Sequence, residues 1–107
     1  MSEELLTDGD IEEMTRRIIA TSHPIKIVLF GSRARGTAQP ASDVDLLVVQ
    51  PDPVEQRRES IRLRRALRDF QVPIDIVVVG EAFANRYRDI PGSVLYPAFK
   101  EGRVLYG

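Results

Sequence analysis

With 107 residues, 43% hydrophobic and 29% charged, the chain has ordinary globular composition and room for one hydrophobic core, so we expect a single domain over residues 1–107. Its formal net charge of −1 gives no general attraction to nucleic acid, so direct binding of nucleic acid is not expected. No apolar run approaches the roughly 20 residues of a membrane span, so no membrane span is expected either. The lack of cysteine excludes disulfides and thiolate metal sites and leaves oxygen ligands, which suit Mg²⁺, or the single His23.

The first predicted element is an amphipathic helix. Apolar residues recur at helical spacing between Asp10 and Thr21. Thr7 and Asp8 are suitable caps for its start, and Pro24 ends it because the residue before a proline is pushed out of the helical region. His23, at this end, is explained by capping and exposure rather than by catalysis.

Two strands and a polar connection follow. Residues Ile25–Phe30 and Val44–Val49 are short, apolar and rich in β-branched side chains, which predicts buried strands. The segment Arg33–Pro40 between them is too polar for a strand, and we predict a short helical turn or a loop there.

The middle of the chain is predicted to form a helix, the third strand and a further helix. The segment Val54–Phe70 reads as a charged surface helix with one apolar side, and Ile74–Val79 as a buried strand. Glu81–Arg88 fits another helix, with Phe83 and Tyr87 facing inward.

The C-terminal part predicts a short helix and an edge strand. Ser93 can cap the helix, Gly102 can end it, and Arg103–Tyr106 can add a strand. The first two strands are too close in sequence for a crossover helix of usual length. We therefore predict an α/β (α+β) fold with a small mixed or antiparallel sheet flanked by helices.

Three aspartates on predicted strands are candidate metal ligands. Asp43 and Asp45 are two residues apart where the second strand begins, so their side chains point to one side with Cα atoms about 6–7 Å apart. Such like charges repel unless something neutralises them, and Mg²⁺ is the simplest candidate. If the third strand lies beside the second, Asp75 completes a triad able to hold two metal ions.

The turn after the first strand is a candidate phosphate site. Gly31 lets the backbone approach a phosphate closely, and the Ser32 hydroxyl and following N–H groups can bind it. Arg33 and Arg35 add positive charge suited to a triphosphate. Each feature alone has a plainer explanation, as a simple turn, a solvated acid pair or surface cations. Their combination favours transfer at phosphorus, which requires positioning and charge neutralisation.

These residues resemble those of a known family. The run Phe30-Gly-Ser-Arg-Ala-Arg-Gly-Thr, with Ser42-Asp-Val-Asp-Leu and the distal Asp75, is similar to the signature of the polymerase-β-like nucleotidyltransferase superfamily, and to its minimal nucleotidyltransferase (MNT) branch in particular. Pro91-Gly-Ser-Val-Leu-Tyr and Glu101-Gly-Arg-Val-Leu-Tyr also resemble that branch. The likeness covers most of residues 25–107.

The resemblance implies a small mixed sheet flanked by helices and assigns roles to residues. Gly31 and Ser32 would contact the phosphates of ATP. Asp43 and Asp45 would bind Mg²⁺, and Asp75 would be a third ligand or a base. Many members of this branch are antitoxins that pair with a helical HEPN ribonuclease and silence it by binding, in some cases by adenylylating a tyrosine on it.

Two functional hypotheses remain open from the sequence. The first is a Mg²⁺-dependent nucleotidyltransferase that transfers AMP from ATP to a HEPN-type toxin and so acts as an antitoxin. The alternative is a non-catalytic antitoxin that neutralises the toxin by stoichiometric binding. A small-molecule acceptor is disfavoured because 107 residues leave no room for an acceptor domain.

Charge distribution and the N-terminus add expectations about partners and location. Acidic residues cluster before Thr15, and arginines cluster between Arg57 and Arg68, so either cluster is a candidate docking face in a homo- or hetero-oligomer. The acidic start of the chain lacks a basic region ahead of an apolar stretch, which makes a cytoplasmic location the default expectation.

Overall fold

The structure, a computed structural model, describes residues 6–38 and 42–107, and this part of the chain forms five helices and four strands. In chain order they are α1 (Asp8–Ser22), β1 (Lys26–Phe30), α2 (Ser32–Arg35), β2 (Val44–Gln50), α3 (Gln56–Ala66), β3 (Ile74–Gly80), α4 (Glu81–Tyr87), α5 (Leu95–Glu101) and β4 (Arg103–Tyr106). Part of the predicted acidic cluster, Glu3 and Glu4, and the end of the predicted connection at Pro40 lie outside the described residues.

The four strands form one mixed sheet in the order β3-β2-β1-β4. Strand β1 is antiparallel to both β2 and β4, whereas β2 and β3 are parallel. The connection from β1 to β2 contains only the four-residue α2, while β2 and β3 are joined through the longer α3, as a parallel pair requires. This confirms the predicted mixed sheet flanked by helices.

Side chains alternate between the two faces of the sheet and bury a core on each. One face, which we call the α1–α3 face, packs against those helices; the other, the α4–α5 face, packs against the shorter helices. The strand residues of the α1–α3 core are Ile27, Leu29, Val44, Leu46, Val48, Ile76 and Val78, and those of the α4–α5 core are Val28, Leu47, Val49 and Val79. Odd-numbered residues of β2 and β3 therefore lie on the α4–α5 face.

Helix α1 begins and ends as its sequence predicts. The Thr7 hydroxyl accepts a hydrogen bond from the Asp10 N–H at 3.1 Å, and the Thr7 N–H donates to the Asp10 carboxylate at 3.0 Å, which together form a capping box. At the other end, His23 is exposed and adopts a left-handed conformation (φ 50°), and its N–H donates to the Ile19 carbonyl.

Helix α3 is shorter than predicted and is not a purely solvated charged helix. It spans Gln56–Ala66, not Val54–Phe70. Glu59 faces inward with 7% exposure and accepts hydrogen bonds from Gln50 Nε2 (3.1 Å) and Arg62 Nη1 (2.8 Å). Burial raises the pKa of Glu59, but the hydrogen bonds from Arg62 and Gln50 outweigh it, so the pKa lies below its usual value. The sequence pattern missed this burial because its partners lie on two different elements.

The last two helices match their predicted positions with one error. Phe83 was predicted to face inward, but it is 46% exposed, and Ala84 is the buried residue of α4. Ser93 accepts a hydrogen bond from the Leu95 N–H at 3.1 Å where α5 begins, Gly102 ends that helix, and β4 forms the sheet edge beyond β1, as predicted.

No helix in residues 6–38 or 42–107 is long and apolar enough to cross a membrane.

The Arg17 side chain joins α1 to the end of α3. Its guanidinium donates to the Ala66 carbonyl at 3.1 Å and to Asp69 at 2.5 Å, and it lies 4.8 Å from the centre of the Phe70 ring. Arg17→Ala is expected to lower the midpoint of urea denaturation, because it removes packing as well as charge.

The matched control is Arg16→Ala, which removes an exposed arginine from the same helix that pairs with Glu13. This change is expected to cost no more than about 0.5 kcal/mol. Urea denaturation at neutral pH measures both losses. Equal losses for the two variants would show that Arg17 does not hold the helices together.

Candidate active site

Gly31 makes the turn between β1 and α2, and its backbone is in a conformation that side chains rarely adopt (φ 75°, ψ −158°). A Cβ atom at this position would overlap the carboxylate of Asp45. The Gly31 carbonyl then accepts hydrogen bonds from the N–H groups of Ala34 (3.1 Å) and Arg35 (3.2 Å), which fixes the first turn of α2. The turn therefore presses directly against a predicted site residue, and only glycine fits.

The predicted acidic residues meet at one end of the sheet. Asp45 is the second residue of β2 and lies between its register partners Phe30 on β1 and Asp75 on β3. Asp43 precedes β2 by one residue, two positions from Asp45. The alternation of side chains places Asp45 and Asp75 on the α4–α5 face. Asp45 is half-buried, whereas Asp43 and Asp75 are exposed.

The electrostatics of Asp45 reflect this crowding. Burial raises the pKa of the Asp45 carboxyl, the negative charges of Asp75 and Asp43 raise it further, and the Arg35 guanidinium lowers it in part. The pKa therefore lies above its usual value. A carboxylate in this position is stabilised by a nearby cation or by taking up a proton. This is the pattern expected of a site that binds a positively charged ion.

The two predicted phosphate-binding arginines have different surroundings. Arg33 donates from Nε and Nη2 to the Ser42 carbonyl at 3.2 and 2.7 Å, so it ties α2 to the backbone just before Asp43. Arg35 is exposed, lies 3.8 Å from Glu101 at the end of α5, and acts electrostatically on Asp45. Arg35 is thus better placed to approach a bound anion, and Arg33 also positions the start of β2.

A protein-family model described as a nucleotidyltransferase domain matches residues 11–103 of this chain. The chain belongs to the nucleotidyltransferase domain family. A search of curated proteins found no match.

Solved structures support the same fold for this nucleotidyltransferase domain. A protein from Sulfolobus solfataricus with a provisional nucleotidyltransferase assignment superposes with a TM-score of 0.58 at 19% identity, covering 88% of this chain and 74% of that one. A toxin–antitoxin crystallised with AMP-PNP gives 0.57 at 23% identity, with 90% and 73% covered. A mutant of the toxin–antitoxin MntA-HpeT gives 0.55 at 22% identity, with 95% and 74% covered.

The donor atoms of this nucleotidyltransferase domain fit Mg²⁺ only with help from other ligands. Within residues 6–38 and 42–107, no three His, Asp or Glu side chains form a ligand set for a metal ion by themselves. Mg²⁺ commonly takes one or two carboxylates and fills its remaining positions with water and substrate phosphate oxygens. Asp45, with Asp43 and Asp75 near it, has the chemistry for that mode of binding.

Sequence reasoning missed the contribution of the C-terminal helices of the nucleotidyltransferase domain. Glu101 reaches Arg35, and the half-buried rings of Phe30, Tyr87 and Phe99 pack around the α4–α5 core on the face that carries the acids. Tyr87 was predicted to face inward, without a connection to the site. One signal in the sequence indicates that an aromatic ring lies near the site, which is the position of Phe30 immediately before Gly31.

Proposed function

We propose that this protein is a Mg²⁺-dependent nucleotidyltransferase that transfers AMP from ATP to a tyrosine of a HEPN-type toxin and so acts as its antitoxin. The observation that carries the proposal is the position of Asp45, which lies between the Gly31 turn and Asp75 with a raised pKa. Family membership supports nucleotidyl transfer as the reaction class. We also propose that the protein acts in the cytoplasm as a single domain.

In this proposal, each part of the site has a separate task. Gly31 allows the phosphates to approach the backbone, and Ser32 donates its hydroxyl to them. Arg35 adds positive charge, while Arg33 holds the backbone at Ser42 so that Asp43 faces the same space. Mg²⁺, when bound by Asp43 and Asp45, with Asp75 as a third ligand or as the base, would neutralise charge on the phosphates.

In the proposed reaction, the acceptor oxygen forms a bond to the α-phosphorus of ATP as the bond to the departing pyrophosphate breaks, so the acceptor must be held in line with that bond. Asp75 is exposed near the start of β3 and, in its role as the base, can accept a proton from an acceptor hydroxyl. Since catalysis of phosphoryl and nucleotidyl transfer consists mostly of positioning and charge stabilisation, the partner needs only to present that hydroxyl beside the carboxylates.

The identity of the partner and the nucleotide is supported by fold relatives. Two of the structures that share this fold are toxin–antitoxin systems, and one of these contains AMP-PNP, an ATP analogue. A toxin as acceptor and ATP as donor are therefore the first candidates to test.

The decisive experiment uses a small helical HEPN-type protein as the candidate toxin, sought first among the products of neighbouring genes. Its intact mass is measured before and after incubation with this protein, ATP and Mg²⁺. A gain of one or more AMP units that is absent with Asp43→Ala would support the proposal. A stable complex without any mass change would instead favour the non-catalytic antitoxin, and it would do so most clearly if Asp43→Ala still neutralised the toxin.

A further inference from the structure

The acids on the α4–α5 face adjoin a partly buried apolar surface. Phe30 pairs in register with Asp45, and Val77 lies on the same face as Asp75, two residues further along β3. Phe30 and Val77 both pack against the α4–α5 core together with Tyr87 and Phe99. All four side chains are half-buried, so each keeps part of its surface open to solvent.

Polar contacts hold the helix ends that carry Tyr87 and Phe99 near the carboxylates. Glu101, two residues after Phe99, lies 3.8 Å from Arg35, whose charge acts on Asp45. Lys100 lies 3.8 Å from Asp89, which joins the end of α5 to the residues that follow α4. The rings are thus positioned at the boundary between the helices and the acidic end of the sheet.

Two arginines lie over these rings. The Arg88 guanidinium is 4.3 Å from the centre of the Phe99 ring, and the Arg86 guanidinium is 5.5 Å from the centre of the Tyr87 ring. Such cation–π contacts restrain the rings and place positive charge beside them. Restrained aromatic side chains next to an anion-binding turn suit a ligand that is flat and apolar at one end and anionic at the other.

We propose that Phe30, Tyr87 and Phe99, here called the aromatic wall, bind the nucleobase of the nucleotide whose phosphates lie at Gly31. This inference rests on the proposed function, since it assumes that the site takes a nucleoside triphosphate. Phe30 is the cross-strand register partner of Asp45 on the same face, and such partners have Cβ atoms about 5 Å apart, so the wall begins within one nucleotide's reach of the carboxylates. Stacking on aromatic rings is stronger for larger bases, and purine nucleotides should therefore bind better than pyrimidine nucleotides.

The experiment separates the base from the phosphates. Dissociation constants for ATP, CTP and inorganic tripolyphosphate are measured by calorimetry with Mg²⁺ for the wild type, Tyr87→Leu and Phe99→Leu. The leucine keeps apolar volume in the core while removing the ring. Tyr106→Leu, at a 41% exposed tyrosine on the edge strand β4, is the matched control, and circular dichroism checks that all variants are folded.

The expected result is a loss of about tenfold in ATP affinity for Tyr87→Leu, with tripolyphosphate affinity unchanged and Tyr106→Leu equal to wild type. The preference for ATP over CTP should shrink in the same variant. Unchanged ATP affinity, or an equal loss for ATP and tripolyphosphate, would overturn the aromatic wall while leaving the proposed function intact. Failure of the wild type to bind either ligand would instead overturn both proposals.

Discussion

Asp45→Asn is expected to lower the rate of nucleotidyl transfer on the order of a thousandfold, the scale seen when a preorganised charge is removed from a reaction centre. The asparagine is nearly the same size as the aspartate, so the Gly31 turn can still close against it. What is lost is the negative charge at the centre of the acidic group, between Phe30 and Asp75. The rate is measured as transfer to the partner protein under saturating ATP and Mg²⁺.

The same variant is expected to be more stable without ligands. Because the folded-state pKa of Asp45 is raised by burial and by Asp75 and Asp43, the folded protein holds this proton more tightly than the unfolded chain does. The protonated Asp45 carboxyl therefore contributes its full stabilisation below the ordinary aspartate pKa, about 4. This contribution is lost as the pH rises through the folded-state pKa. Asp45→Asn should therefore raise the melting temperature at pH 7 and lose that advantage as the pH falls below about 4.

Glu81→Gln is the control for both measurements. Glu81 is an exposed acid in the first turn of α4 and follows β3 at the end opposite Asp75. It should leave transfer unchanged and should not raise the melting temperature at pH 7. If Asp45→Asn retained activity, or melted lower than wild type at pH 7, Asp45 would be a structural residue and the candidate site would lie elsewhere.

Gly31→Ala is expected to abolish nucleotide binding and to destabilise the fold by about 3 kcal/mol or more. The alanine would need a left-handed backbone conformation, and its Cβ would also collide with the Asp45 carboxylate. The collision can be relieved only by moving the turn or Asp45. Either movement disrupts the place where the phosphates and the carboxylates are proposed to meet.

Gly36→Ala is the comparison for this change. Gly36 ends α2 in the left-handed helical region (φ 77°, ψ 16°), and a Cβ there has no atom within 4 Å. It therefore incurs only the strain of a left-handed residue, about 1 kcal/mol, whereas the backbone of Gly31 (ψ −158°) lies in a region nearly restricted to glycine. Urea denaturation and calorimetry with ATP measure stability and binding for both variants. Equal effects would mean that neither the backbone conformation of Gly31 nor its contact with Asp45 makes this glycine necessary.

The sequence predicted the sheet and the acidic end of it because both depend on local pattern. Apolar β-branched runs located the first three strands, β1, β2 and β3, and the short connection after Phe30 disfavoured an all-parallel sheet. The meeting of Asp75 with Asp45 was conditional on strand order, and the observed β2–β3 pairing satisfies that condition.

The features that the sequence could not predict depend on contacts between distant elements. Arg33 stays a predicted phosphate-binding residue, and its guanidinium also donates to the backbone carbonyl of Ser42, a contact that no sequence pattern indicates. Glu59 is buried because Gln50 and Arg62 satisfy it, and Phe83 is exposed because the smaller Ala84 faces the core. The spacing of apolar residues along a helix does not by itself tell which of these side chains is buried and which is exposed.

The position of Asp45 on the strand between β1 and β3 also constrains the order of folding. The site requires an antiparallel pairing with β1, which is close in sequence, and a parallel pairing with β3, which is reached only through α3. Pairings between distant segments form late because the chain must first lose the entropy of closing a long loop. A newly made chain should therefore acquire the proposed nucleotide site only after the β2–β3 pair has closed, so nucleotide affinity would serve as a readout of completed folding.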